Sequence, residues 1–166
     1  QYKDYFRSVM INEEDRDAID YAAYAGIFYI LGKNRGMVNA KYEYNHEDTD
    51  GSNWDYTGHR FTLNASARIT DYARLNLSSD VFYQNYINRN TIFCIDKAPK
   101  LGCDIANEDI PILREDLTWT QNVAAFLEIN KYAELQFKYT YTRGDSNIPV
   151  YDYGKEVTGL NLNMKY

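Results

Sequence analysis

Proline, histidine and cysteine are scarce in this chain, at three, two and two copies in 166 residues, and long apolar runs are missing. A membrane-spanning helix needs about 20 consecutive apolar residues, whereas the longest such run, residues 21–31, is shorter and passes straight into turn residues. A helical membrane protein is thereby excluded. Lys and Arg number 18 against 24 Asp and Glu, a formal charge of −6, and no basic cluster stands out. Nucleic acid is not an expected partner, because holding phosphates takes grouped cations. His46 and His59 flank one acidic loop but lack an obvious third ligand, so they are weak candidates for a metal, and no cofactor is expected. No serine or histidine has the context of a nucleophile, so catalysis is not expected. The chain opens on Gln1 without a charged and then apolar leader, as expected of a processed or cut product.

Tyrosine is what the chain has in plenty: 17 copies, with seven Phe and two Trp. Many of them fall into strict period-two alternation, the signature of a strand with two unlike faces. Val38, Ala40, Tyr42 and Tyr44 alternate with Asn39, Lys41, Glu43 and Asn45; Phe61, Leu63, Ala65, Ala67 and Ile69 alternate with Arg60, Thr62, Asn64, Ser66 and Arg68. Leu75, Leu77, Val81 and Tyr83 oppose Asn76, Ser78, Asp80 and Gln84, and Trp119, Val123, Ala125, Leu127 and Ile129 oppose Thr118, Thr120, Asn122 and Glu128. The cleanest case sets Ala133, Leu135, Phe137, Tyr139 and Tyr141 against Glu134, Gln136, Lys138, Thr140 and Thr142. The chain closes with Leu160, Leu162, Met164 and Tyr166 against Asn161, Asn163 and Lys165. Residues 19–31 are apolar on both parities and read as a strand buried on both faces.

Connections alternate as the side chains do. Short links at 32–36, 70–73 and 130–132 interleave with long ones at 47–57, 88–116 and 143–156. Transmembrane β-barrels keep short turns at one end and long loops at the other, and their strands of about 9–11 residues exceed the five or six usual in soluble sheets. The expected fold is all-β: one domain over residues 1–166, an antiparallel up-and-down transmembrane β-barrel of about eight strands, or part of a larger barrel. Residues 1–11 would supply the eighth strand and place both termini at the short-turn end. A soluble β-sandwich with one solvated face is the alternative.

On the barrel reading Lys41, Glu43, Arg60, Arg68, Asp80, Glu128, Glu134 and Lys138 face the interior, where charges must pair or stay hydrated. In a closed barrel of about eight strands they plug the lumen; in a wider one they line an aqueous path and bias its selectivity. The expected function is a pore, or a membrane scaffold or conduit for export or partner docking. A small closed barrel acting as an adhesin or as a rim-site outer-membrane enzyme is the alternative. Outer-membrane lipid is the expected surrounding, with long loops extracellular and short turns periplasmic, and a periplasmic or surface protein the expected partner. Cys94 and Cys103 lie in one polar segment and read either as a disulfide closing a small loop in an oxidising compartment or as two free thiols.

Several stretches carry a family resemblance: NRG at residues 34–36, NWDYTGHR at 53–60, SNIPVYDY at 146–153 and the closing aromatic strand. Together they resemble the C-terminal barrel portion of bacterial surface-lipoprotein assembly modifiers and of porin-like proteins encoded with exopolysaccharide systems. Those proteins often carry an N-terminal tetratricopeptide domain, and no helical repeat occurs in these residues. The resemblance implies that Leu160, Leu162, Met164 and Tyr166 form an assembly signal read by the barrel assembly machinery.

Overall fold

The computed structural model describes residues 2–3, 16–32, 35–95, 100–101 and 110–164. They form one antiparallel sheet with no α-helix among the described residues. Its strands are β1 (Tyr2–Lys3), β2 (Ala18–Leu31), β3 (Gly36–Thr49), β4 (Tyr56–Arg68), β5 (Ala73–Ile95), β6 (Lys100–Leu101), β7 (Ile110–Asn130), β8 (Ala133–Ser146) and β9 (Tyr153–Met164). The seven long strands pair with their sequence neighbours, while β1 touches only the start of β2 and β6 pairs with β5. A sandwich needs two packed sheets, and the described residues supply one. The sheet is not closed: no described residue pairs with the outer edge of β9, and that of β2 is paired only at Ala18 and Ile19.

The strands run past the ends that alternation marks. The stretch expected as a long loop at 88–116 is largely ladder, with β5 continuing to Ile95 and β7 beginning at Ile110, and register shifts near Asn85 and Asn90. Likewise β3 reaches Thr49 and β8 reaches Ser146. Residues 45–49 and 143–146 are polar on both faces, and 85–95 and 110–116 mix apolar with polar residues on both, so periodicity fades while backbone pairing carries on. The strand pairs β2–β3, β4–β5 and β7–β8 are joined by short links at one end, opposite the end where β3–β4, β5–β7 and β8–β9 are joined.

The strand β2 corrects the expectation of a doubly buried strand. Residues 21–31 are exposed on both faces, because β3 is their only neighbour among the described residues. Of the expected eighth strand over residues 1–11, only Tyr2 and Lys3 are described. Tyr2 and Lys3 sit opposite Ile19 and Ala18, at the long-loop end of β2. Most of residues 1–11, Asn34 of the first turn motif, Cys103 and the terminal Tyr166 lie outside the described residues. Cys94 belongs to β5, opposite Lys100 and Pro111, and the expected disulfide lies outside what is described.

Burial is inverted relative to a soluble domain. Ile27, Phe28, Phe61, Leu63, Trp119, Leu160 and Leu162 are exposed, whereas Asn45, Glu47, Asn90, Arg114, Asp116 and Glu134 are buried. With one sheet and no covering layer among the described residues, that burial requires the polar face to curl inward. The curl is visible where the 50–55 connection meets the 147–152 connection, although β5 and β7 lie between them: the rings of Trp54 and Tyr151 stand 6.4 Å apart, edge to face.

Candidate functional site: the polar concave face

Pairing register decides which side chains share the inner face. One inner row runs Lys41, Thr62, Asp80, Thr120, Thr142, and the next Glu43, Arg60, Phe82, Thr118. Lys41 donates to Glu43 at 2.6 Å, and Arg60 lies 3.8 Å from both Glu43 and Asp80, which also accepts from Thr62 at 2.7 Å. Nearer the short turns, Arg74 stands 3.8 Å from buried Glu134, to which Asn163 donates at 3.4 Å. Glu128 is opposite Glu134, Arg68 opposite Arg74, and Lys138 lies exposed opposite Ala124. Between the charged groups the face is neutral: Asn64 donates to Asn39, Ser66 to Asn76 and Thr140 to Asn122. Part of this amide floor lines a cavity of about 280 Å³.

The arginines do more than pair with carboxylates. Arg60 lies over the ring of Phe82 and Arg74 over that of Phe126, each 4.3 Å from the centroid, and each ring belongs to the residue directly opposite on the next strand. A ring face attracts a guanidinium, by about 0.5–1 kcal/mol when exposed and more when desolvated. Alternation counted Phe82 and Phe126 as nothing, because both sit on the polar parity. Their signal in the sequence is a lone aromatic among polar residues, one strand away from an arginine.

At the long-loop end the inner face closes into a cluster that periodicity missed. Arg114 is bonded through Nε to Asp116 at 3.0 Å and lies 3.4 Å from the Tyr151 ring and 4.4 Å from that of Tyr86. Arg16 covers Trp54 at 3.6 Å, and Tyr86 packs with Tyr56 and Phe82 into the buried apolar knot. Tyr56 donates to Glu47 at 2.9 Å, and Glu47 also pairs with Lys3. The two inward connections are held by their own carboxylates. Asp55 accepts from Thr49 and Asn88, and Asp152 accepts from the Ser146 amide. These connections overlap the sequence stretches 53–60 and 146–153.

Both buried phenols of this cluster are pushed up. Burial is the main cause for each; the Glu47 carboxylate adds to it for Tyr56, while for Tyr86 the Arg114 charge opposes and Asp116 adds. An unfolded tyrosine releases its proton near pH 10, whereas the folded chain retains these two. Their contribution to stability is therefore complete below about pH 10 and falls as pH rises beyond it. Alkaline titration followed by phenolate absorbance and limited proteolysis is expected to open the Tyr56–Tyr86 end before the rest of the sheet.

The histidines lie elsewhere. His46 and His59 are on the outer face, where the Tyr42 hydroxyl meets His59 Nδ1 at 2.7 Å and the His59 ring lies 5.4 Å from that of Tyr44. Among the described residues no three His, Cys, Asp or Glu side chains group into a metal site.

The outer face carries a slanted aromatic border. Tyr21 on β2 lies opposite His46, whereas Tyr141 on β8 traces through Gln121, Ser79 and Leu63 to Ala40. Tyr44, Tyr83 and Trp119 fall between them in order. The border thus descends by about six residues, roughly 20 Å, over five strand spacings of roughly 24 Å, an angle of about 40° to the hydrogen-bonded rows. The outward stretches 21–31 and 73–83 each run roughly 34 Å along the strand, which that angle reduces to a height of about 26 Å. The polar pair inside this band is satisfied, Gln121 donating to Ser79 at 2.6 Å.

The chain matches no protein-family model, no curated protein and no solved structure.

Proposed function

We propose that this chain is the wall of a transmembrane β-barrel in a bacterial outer membrane, with its polar concave face lining an aqueous conduit. The observation that carries this reading is the inverted burial: large apolar side chains outward across all seven long strands, ion pairs and amides inward. In water such an outer face exceeds the few hundred Å² of apolar patch that a soluble monomer tolerates; in lipid it is the required surface. The aromatic border supports the same reading, since its slant of about 40° and band of about 26 Å agree with the tilt and apolar height of membrane barrels. No helix among the described residues is long and apolar enough to cross a membrane, so crossing falls to the strands. The long-loop end is then extracellular and the short turns periplasmic. Kinship with the lipoprotein-assembly and exopolysaccharide barrels is part of the proposal and rests on the motifs at 34–36, 53–60 and 146–153 and on the closing aromatic strand.

One observation favours a second reading. The Arg114, Tyr151 and Trp54 cluster lies across the long-loop end, which suits a plugged scaffold or a surface-docking barrel. Planar-bilayer recordings of the purified native polypeptide separate the two. The conduit reading expects stable conductance that rises in Arg114→Ala; silence in both proteins removes the conduit and leaves the scaffold.

A further inference from the structure

We propose that the open edge of β2 is completed in the working protein by an antiparallel strand that enters β1 from its N-terminal side. Its direction and register come from β1 alone. Tyr2 lies opposite Ile19 and Lys3 opposite Ala18, so each step upstream of Tyr2 moves one residue along β2 toward Leu31. Roughly a dozen residues cover the open edge, close to the 9–11 of a membrane strand.

Three features of the sheet define this occupant. The strands β2 and β9 run in the same direction, because six antiparallel pairings separate them. Two edges of equal direction are joined by antiparallel pairing only through an odd number of strands, and one strand is the smallest such number. Next, the large apolar groups on the inner parity of β2 are exposed, Tyr24 and Phe28 at 73% and 71%, whereas Phe82 on the same parity of β5 is buried. A neighbouring strand brings side chains beside them. Finally, a second copy of the chain does not suit the edge. Antiparallel β2 to β2 pairing points the two long-loop ends oppositely, and β9 to β2 pairing is parallel. The occupant is therefore an alternating strand with its apolar parity outward. The need for it rests on the membrane reading, since lipid offers the unpaired backbone no water.

Hydrogen exchange on the native polypeptide in detergent tests this, compared with the chain of 166 residues in the same detergent. In the shorter chain, the edge-facing half of the β2 amides between Asp20 and Leu31 is expected to exchange freely, while those bonded to β3 are slow. In the native polypeptide the edge-facing amides are expected to slow by about a hundredfold or more, together with a protected segment upstream of Tyr2. Fast edge amides in the native polypeptide, or a native mass equal to that of the 166 residues, would overturn the proposal. So would protection that appears only in dimers. Partition of the same samples into lipid vesicles is scored separately. A protected edge in a polypeptide that stays out of lipid supports the strand and defeats the membrane reading; an unprotected edge in lipid does the reverse.

Discussion

Arginine substituted for Leu63, Leu135 or Leu162 is expected to cost about 2–4 kcal/mol of folding free energy in lipid vesicles, the penalty for a cation on the lipid face near the bilayer midplane. These leucines share the outer parity, and Leu135 and Leu162 stand directly opposite each other on β8 and β9. Moving one residue along the strand reverses the expectation, because the side-chain period is two. Arginine at Thr62 meets the Asp80 carboxylate that Thr62 already contacts at 2.7 Å, and arginine at Gln136 enters the inner face opposite Phe126 and Asn161. Both are expected to stay within about 0.5 kcal/mol of the parent. Denaturant titration of folded and unfolded populations in vesicles measures the contrast, and equal costs at both sets would remove the lipid face.

The second large effect is expected at Arg114. Its side chain and that of Asp116 are only 9% and 12% exposed, so Arg114→Met leaves a carboxylate buried without its cation. Breaking one side of a buried pair costs about 3–5 kcal/mol, whereas exchanging both partners for apolar residues is often neutral. Arg114→Met is therefore expected to destabilise by about that amount, and Arg114→Met combined with Asp116→Leu to recover most of it. The residual loss in the double variant measures what the Tyr151 and Tyr86 rings gain from the guanidinium, which lies 3.4 Å and 4.4 Å from them. Thermal unfolding of the three variants reads all of these quantities.

Particular residues explain what the sequence did and did not disclose. From Met37 onward, parity placed Leu63, Leu135 and Leu160 on one face and Thr62, Gln136 and Asn161 on the other, as the pairing register has them. Period two is imposed by the pleat itself and survives wherever two environments differ. It failed where they do not. Beyond Tyr83 and Leu117 apolar residues such as Tyr86, Ile87, Ile112 and Leu113 fall on both parities among polar ones, so nothing in the residues distinguished ladder from loop until β5 and β7 were seen to pair as far as Ile95 and Ile110. On β2 the error took the opposite form: Tyr24 and Phe28 made both faces apolar, which reads as burial, while the strand lies at an edge. The inner charges were legible one by one, but their partners were not. Arg60 over Phe82 and Arg74 over Phe126 depend on cross-strand register, which single-strand patterns do not carry. The Arg114 cluster draws on β5, β7 and two connections and has no local signature.

The two tryptophans test the central claim most directly, since they lie on opposite faces. Trp119 belongs to the outer aromatic border and is 48% exposed, while Trp54 is half-buried beneath Arg16 at the long-loop end. With Trp54→Phe and Trp119→Phe giving single-tryptophan proteins in vesicles, quenching by bromines placed along the lipid chains reports which ring meets lipid. The account predicts strong quenching of Trp119 by bromines near the headgroups and none of Trp54. Quenching of neither ring by lipid, with Trp119 open to a water-soluble quencher, would contradict it.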